Sequence, residues 1–253
     1  MGAGTSADIE FRILGPLEVV IGGEVVDLGT AKQRALLALL VMHINQVVST
    51  ERLVEDIWGD QPPARAANAV QVYVSYLRKV LEPDRTKGGE SHVLVTRRPG
   101  YLLRAEPDQV DSLRFERLVD EGRRALAAGN PEAAARRLRQ GLDLWRGPAL
   151  ADVAYEPFAD REASRLEELR VAAMEDRVEA DLARGLHSDL VAELDALVAA
   201  HPLRERLWGQ RMVALYRCGR QAEALRAYRD LREALAEELG IDPSPALQRL
   251  EEA

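Results

Sequence analysis

Apolar residues return at two different periods along this chain, and the change of period divides it. Over residues 9–28 they come in short pieces, Ile9–Leu14, Leu17–Ile21 and Val25–Leu28, punctuated by Gly15-Pro16 and Gly22-Gly23. Short β-strands joined by tight turns are the natural reading. From Lys32 to Leu40 the spacing turns helical, with Thr30 as N-cap, and Asn45-Gln46 breaks the helix. Val47-Val48-Ser49 leads into a second helix capped by Ser49 or Thr50, with Leu53, Val54, Ile57 and Trp58 on its buried side. A third helix is predicted over 64–81. At 100° per residue Val70, Tyr73, Val74, Leu77 and Leu81 share one apolar stripe. Proline at 83 ends that helix. Lys87-Gly88-Gly89 reads as a flexible loop, and Val93–Thr96 and Tyr101–Leu103 flank Arg97-Arg98-Pro99-Gly100 as a hairpin.

Near Glu106-Pro107-Asp108 the strand pattern ends. Residues 112–127, 131–145, 157–184, 188–200, 203–218 and 221–238 all show helical spacing of Leu, Ala and Val. Gly185 and Gly219 lie 34 residues apart, the tetratricopeptide period. Residues 128–134 and 218–224 form similar turns, with Ala134 and Ala224 as the small residues where paired helices approach. The organisation expected is a flexible N-terminus over 1–8, an α+β winged helix-turn-helix domain over 9–106, and an all-α tetratricopeptide-like domain over 107–253. Such an array presents a surface to another protein or to a second copy; the alternative is a domain used only for packing or dimerisation.

The third helix has a second face, made of Arg65, Asn68, Gln71, Val72, Ser75, Tyr76, Arg78 and Lys79, without an acid. Amides and hydroxyls suit base edges and cations suit phosphates, so the face fits a DNA major groove; on this helix alone a merely solvated face serves as well. The formal net charge of −8 looks wrong for that partner until it is divided. Residues 1–106 hold twelve Lys/Arg and thirteen Asp/Glu; the remainder holds twenty-two and twenty-nine. Within 78–104, seven cations (Arg78, Lys79, Arg85, Lys87, Arg97, Arg98, Arg104) face three acids (Glu82, Asp84, Glu90). Local field governs docking to phosphate, and this segment is locally positive.

Other chemistries find little support. The longest apolar run, Ala35 to Met42, is too short to cross a bilayer, and residues 1–7 lack a secretion signal. A single cysteine, Cys218, excludes an internal disulfide, fits a reducing cytoplasm and reads as a small residue in helix packing. The four histidines do not cluster with cysteines or paired carboxylates, so neither a metal nor a cofactor is expected. There is no phosphate-binding Gly-x-x-x-x-Gly-Lys-Ser/Thr loop and no nucleophile–base pattern; an enzyme is not expected. Trp58, Trp145 and Trp208 read as core residues.

Five blocks in order carry a family resemblance: Leu14–Val19, Lys32–Leu39, Arg52–Gly59, Ala67–Arg78 and Pro99-Gly100-Tyr101. Together they resemble the Streptomyces antibiotic regulatory protein (SARP) family. The first half resembles an OmpR/PhoB-type winged helix, and the second the bacterial transcriptional activation domain that accompanies it. The resemblance implies a cytoplasmic, nucleoid-associated activator of secondary-metabolite genes. It further implies side-by-side copies on direct repeats near a promoter's −35 region, in contact with RNA polymerase and its sigma factor. Asn68, Gln71, Val72 and Ser75 would enter the groove, as the family's helix implies. Tyr76, Arg78 and Lys79 would meet phosphates or the groove wall, Lys32 and Arg34 a phosphate at the start of the first helix, and Arg97 and Arg98 would form the wing contact. Alternatives stand beside these: Tyr76 buried against the next copy, Lys32 and Arg34 paired with Asp27, Arg97 and Arg98 in a solvated turn. The competing function is a helical-repeat scaffold whose N-terminal domain binds protein. Leu247–Ala253 stops within a helical pattern, so either a short regulator or the first part of a longer one is expected; the intact mass of the native product decides.

Overall fold

The computed structural model describes residues 9–86 and 89–252. The expected flexible N-terminus over 1–8 lies outside the described residues, as do Lys87 and Gly88 of the expected loop. Contacts gather the chain into two compact units, residues 1–117 with 141–170, and 118–140 with 171–253.

In the first unit β1 (Ile9–Arg12), β2 (Glu18–Ile21) and β3 (Glu24–Val25) form an antiparallel sheet in that order. Helix α1 (Ala31–Met42) follows. Thr30 precedes it, and its N–H donates to Gln33 Oε1 at 2.7 Å, which satisfies a free backbone donor at the helix start. Residues Ala35 to Val41 are all buried, so α1 is the central helix of the unit. Asn45 takes a left-handed backbone with φ 60 and breaks the chain direction, as its type permits.

Val47–Ser49 forms a strand, β4, where the sequence suggested no more than a lead into the next helix. Ser49 then caps α2 (Thr50–Trp58), its Oγ accepting the Arg52 N–H at 3.1 Å. Helix α3 spans Ala66–Leu81 and buries Val70, Val74, Leu77 and Leu81 of the predicted stripe, with Tyr73 half-buried. Strands β5 (Leu94–Arg97) and β6 (Gly100–Leu103) make the predicted hairpin, and β4 completes a sheet of order β4-β6-β5. Three helices with this sheet form a winged helix-turn-helix.

Residues 141–156 pack on the same unit. Leu150 N–H donates to Ile13 O at 2.9 Å, and Arg146 N–H to Leu14 O at 2.8 Å. Asp111 accepts from the N–H groups of Ile13 and Leu14 at 2.8 and 3.0 Å. Phe115 meets Trp145 edge-on at 5.4 Å, and Arg170 lies 4.5 Å over the Trp145 ring.

Helices α4 (Asp111–Ala127), α5 (Pro131–Leu142), α6 (Pro157–Ala183), α7 (His187–Ala200), α8 (Glu205–Arg217), α9 (Gln221–Leu239) and α10 (Pro245–Glu252) follow in order. The predicted helices are present, α5 ending three residues earlier than its pattern suggested. In the second unit α7, α8 and α9 stack in sequence around Leu194, Leu207, Leu215, Ala227 and Leu231. Ala134 and Ala224 are buried, and Gly122 lets α4 approach Leu138 of α5, where a Cβ would lie 2.6 Å from Leu138 Cγ. Trp208 is buried with its indole N–H on Pro202 O at 2.9 Å, while Trp58 and Trp145 are half-buried. Cys218 is exposed at the end of α8, contrary to the expected packing role.

Candidate nucleic-acid interface

Helix α3 lies against α1, α2 and β5, which fixes which face it shows to solvent. Asn68, Gln71, Val72, Ser75 and Lys79 are all exposed on that face. Val72 is 63 % exposed, an apolar side chain that the fold leaves uncovered. From Ala66 to Leu81 the helix contains no acid. Trp58 stacks on Tyr73 with ring centroids 6.2 Å apart and pins the middle of α3 to the end of α2.

Tyr76 is half-buried against its own chain. Its hydroxyl donates to Asp27 O at 3.4 Å, and its ring edge lies where a Cβ on Gly29 would come within 2.9 Å. Gly29, with φ +79, keeps that space open.

Arg78 is bonded within its own chain. Its Nε donates to Leu94 O at 2.8 Å and its Nη2 to Thr96 Oγ1 at 2.7 Å, so the guanidinium ties α3 to β5. It sits 6.0 Å from the Tyr101 ring centroid. Burial holds its pKa below the ordinary arginine value; the nearby Arg85 charge acts in the same direction, while Tyr101 and Glu82 oppose both.

The wing closes through Gly100. A Cβ there would fall 1.9 Å from Val48 O, so β4 and β6 approach as closely as they do because position 100 has no side chain. Thr50 N–H donates to Pro99 O at 3.3 Å, joining the hairpin turn to the start of α2. Arg97 and Arg98 are exposed at that turn and make no ion pair among the described residues.

Lys32 and Arg34 are corrected by the structure. Lys32 Nζ donates to Ile57 O at 2.7 Å and to Glu156 Oε1 at 2.8 Å. Arg34 Nε donates to Asp152 Oδ2 at 2.7 Å and its Nη2 to Leu17 O at 2.6 Å. Both cations are engaged by acids of the 141–156 segment, not by Asp27. Asp27 instead accepts the Gly29 N–H at 2.8 Å. Among the described residues no group of three His, Cys, Asp or Glu side chains is placed to hold a metal ion, and no helix is long and apolar enough to cross a membrane.

The arrangement defines a winged-helix transcription regulator joined to an all-helical domain. Residues 23–103 match the family described as Transcriptional regulatory protein, C terminal, and residues 110–253 the family described as Bacterial transcriptional activator domain. The chain belongs to the latter, and with it to the SARP-type transcription activators. It is 42 % identical to the regulatory protein DnrI of Streptomyces peucetius, over 97 % of this chain and 91 % of that protein. Against the regulatory protein AfsR of Streptomyces coelicolor it is 43 % identical over 98 % of this chain, but spans 24 % of AfsR. The solved structure of Mycobacterium tuberculosis EmbR in complex with a low affinity phosphopeptide superposes with a TM-score of 0.92 at 41 % identity. That match covers 96 % of this chain and 64 % of EmbR.

Proposed function

We propose that this activator binds promoter DNA with α3 in the major groove. The observation that carries the reading is the outer face of α3: exposed amide, hydroxyl and methyl-bearing side chains with no acid, beside wing arginines that no acid neutralises among the described residues. Gln71 pairs with an adenine edge, Val72 packs on a thymine methyl, and Asn68 and Ser75 complete the base contacts. Lys79, Arg97 and Arg98 meet backbone phosphates, which position the protein without reading sequence. Arg78 and Tyr76 hold the frame. Lys32 and Arg34, engaged internally, are left out of the interface.

Four reading side chains specify a short site, so useful specificity comes from copies bound side by side on direct repeats near the −35 region. RNA polymerase, including its sigma factor, is the protein partner, and secondary-metabolite genes are the targets. The test is selection of bound duplexes from a random pool with the full chain. The expected result is a short motif repeated in the same orientation about one helical turn apart, ~10–11 base pairs. A pool that enriches no motif contradicts the proposal.

A further inference from the structure

The end of α3, the loop after it and β5 enclose a polar cleft of about 380 Å³. Arg78, Arg85 and Arg97 all line it, with Ser91, Thr96 and Gly89. One acid, Glu90, shares the lining. Glu82 is turned to the Ser91 hydroxyl and to the His92 N–H, the latter at 2.8 Å. Arg78 is spent on the wing strand. Arg85 is not fully used: Nη1 donates to Gly89 O, while its buried Nε has no hydrogen-bond partner among the described residues. A buried guanidinium N–H without an acceptor is unfavourable, so Arg85 keeps unused donor capacity beside the cleft it lines. Arg97 reaches the same cleft from the wing without an ion pair among the described residues.

We propose that this cleft seats one phosphodiester of the DNA backbone, gripped from two sides by Arg85 and Arg97. The inference rests on the DNA-binding reading above and adds to it a residue, Arg85, outside both α3 and the wing. Two guanidiniums that converge on one tetrahedral oxyanion can each donate in pairs, a geometry that a lysine cannot reproduce. A phosphate held there would set the register of the duplex between α3 and the wing. It would also bridge Arg85 to Arg97, so their effects on binding are shared instead of independent.

The test measures the affinity of the full chain for a short duplex of arbitrary sequence across a salt series. Arg85→Gln is expected to weaken binding about tenfold at moderate salt. It should also reduce the slope of log affinity against log salt by about 0.9, the value of one phosphate contact. Arg97→Gln should do the same, and the double variant should lose little more than either single one, because the phosphate is seated only when both guanidiniums are in place. Arg85→Lys should keep the slope and recover part of the affinity, which separates a phosphate contact from a folding defect. Loss of about two contacts in the double variant would place the arginines on separate phosphates and overturn the shared seat. An unchanged slope in Arg85→Gln would overturn the seat itself. A wild-type chain that binds no duplex would instead contradict the DNA reading on which the seat depends.

Discussion

Arg34 on α1 donates from Nε to the carboxylate of Asp152, 118 residues further along the chain, at 2.7 Å. The other Asp152 oxygen accepts the Leu17 N–H at 2.7 Å, so one side chain joins the turn before α6 to both β2's approach and α1. Both partners are about three-quarters buried. Asp152→Ala leaves a charge and a backbone donor unpaired and should lower the unfolding free energy by about 1–3 kcal/mol. Chemical denaturation checks this. In a double-mutant cycle, Arg34→Met should cost much less in the Asp152→Ala background than alone.

The wing depends on an absent side chain. Gly100→Ala would drive a methyl into Val48 O and Ser49 Cα. The expected result is β6 displaced from β4, a loss of about 1–3 kcal/mol in stability, and DNA affinity reduced for every sequence alike. Thermal unfolding and duplex titration of the variant measure both.

In the helical unit, Asp181 of α6 has a side chain 1 % exposed and accepts from Arg139 of α5 at 2.6 Å, from Arg184 at 2.7 Å and from Arg177 at 3.2 Å. Arg177 is itself buried. Asp181→Ala removes their shared acceptor, leaving Arg177 with Glu193 and Arg184 with Glu132, and should destabilise by about 1–3 kcal/mol. The loss should be visible as lower protection from amide exchange along α5 and α6.

Asp111 gives a pH signature. Burial raises its pKa above the ordinary aspartate value, against the two backbone N–H groups of Ile13 and Leu14 that favour the charged form. The folded state therefore holds this proton more tightly than the unfolded chain. Its stabilising contribution is complete below the unfolded pKa, about 3.9, and is lost as pH rises through the higher folded-state value. Wild type should lose stability relative to Asp111→Asn as the pH climbs from about 4 across that interval. Denaturation of both proteins over a pH series checks the sign.

Much of the first unit was legible because its signals are local. The stripe Val70, Val74, Leu77, Leu81 is a period read within one helix, and the hairpin announces itself through Pro99-Gly100 between two apolar runs. What escaped is non-local. Strand β4 has three residues, and its pairing of Val48 with Tyr101 leaves no periodicity to find. Lys32 and Arg34 look free in sequence because Glu156 and Asp152 are more than a hundred residues away. Arg78 has the character of a phosphate ligand, and only the position of β5 shows that its guanidinium is occupied. The membership of 141–170 in the first unit rests on backbone bonds such as Leu150 to Ile13, which helical periodicity does not encode.

The claim that α3 reads bases is tested most directly by the affinity of wild type and Gln71→Ala for a selected site and for each of its single-base variants. Arg98→Ala serves as the reference for a contact that reads nothing. Gln71→Ala should lose about 1–3 kcal/mol at one base position and become indifferent to the base there, while Arg98→Ala weakens all sequences equally with a shallower salt dependence. If Gln71→Ala instead lowers affinity by the same factor for every sequence, scrambled sites included, the outer face of α3 is not the reading surface.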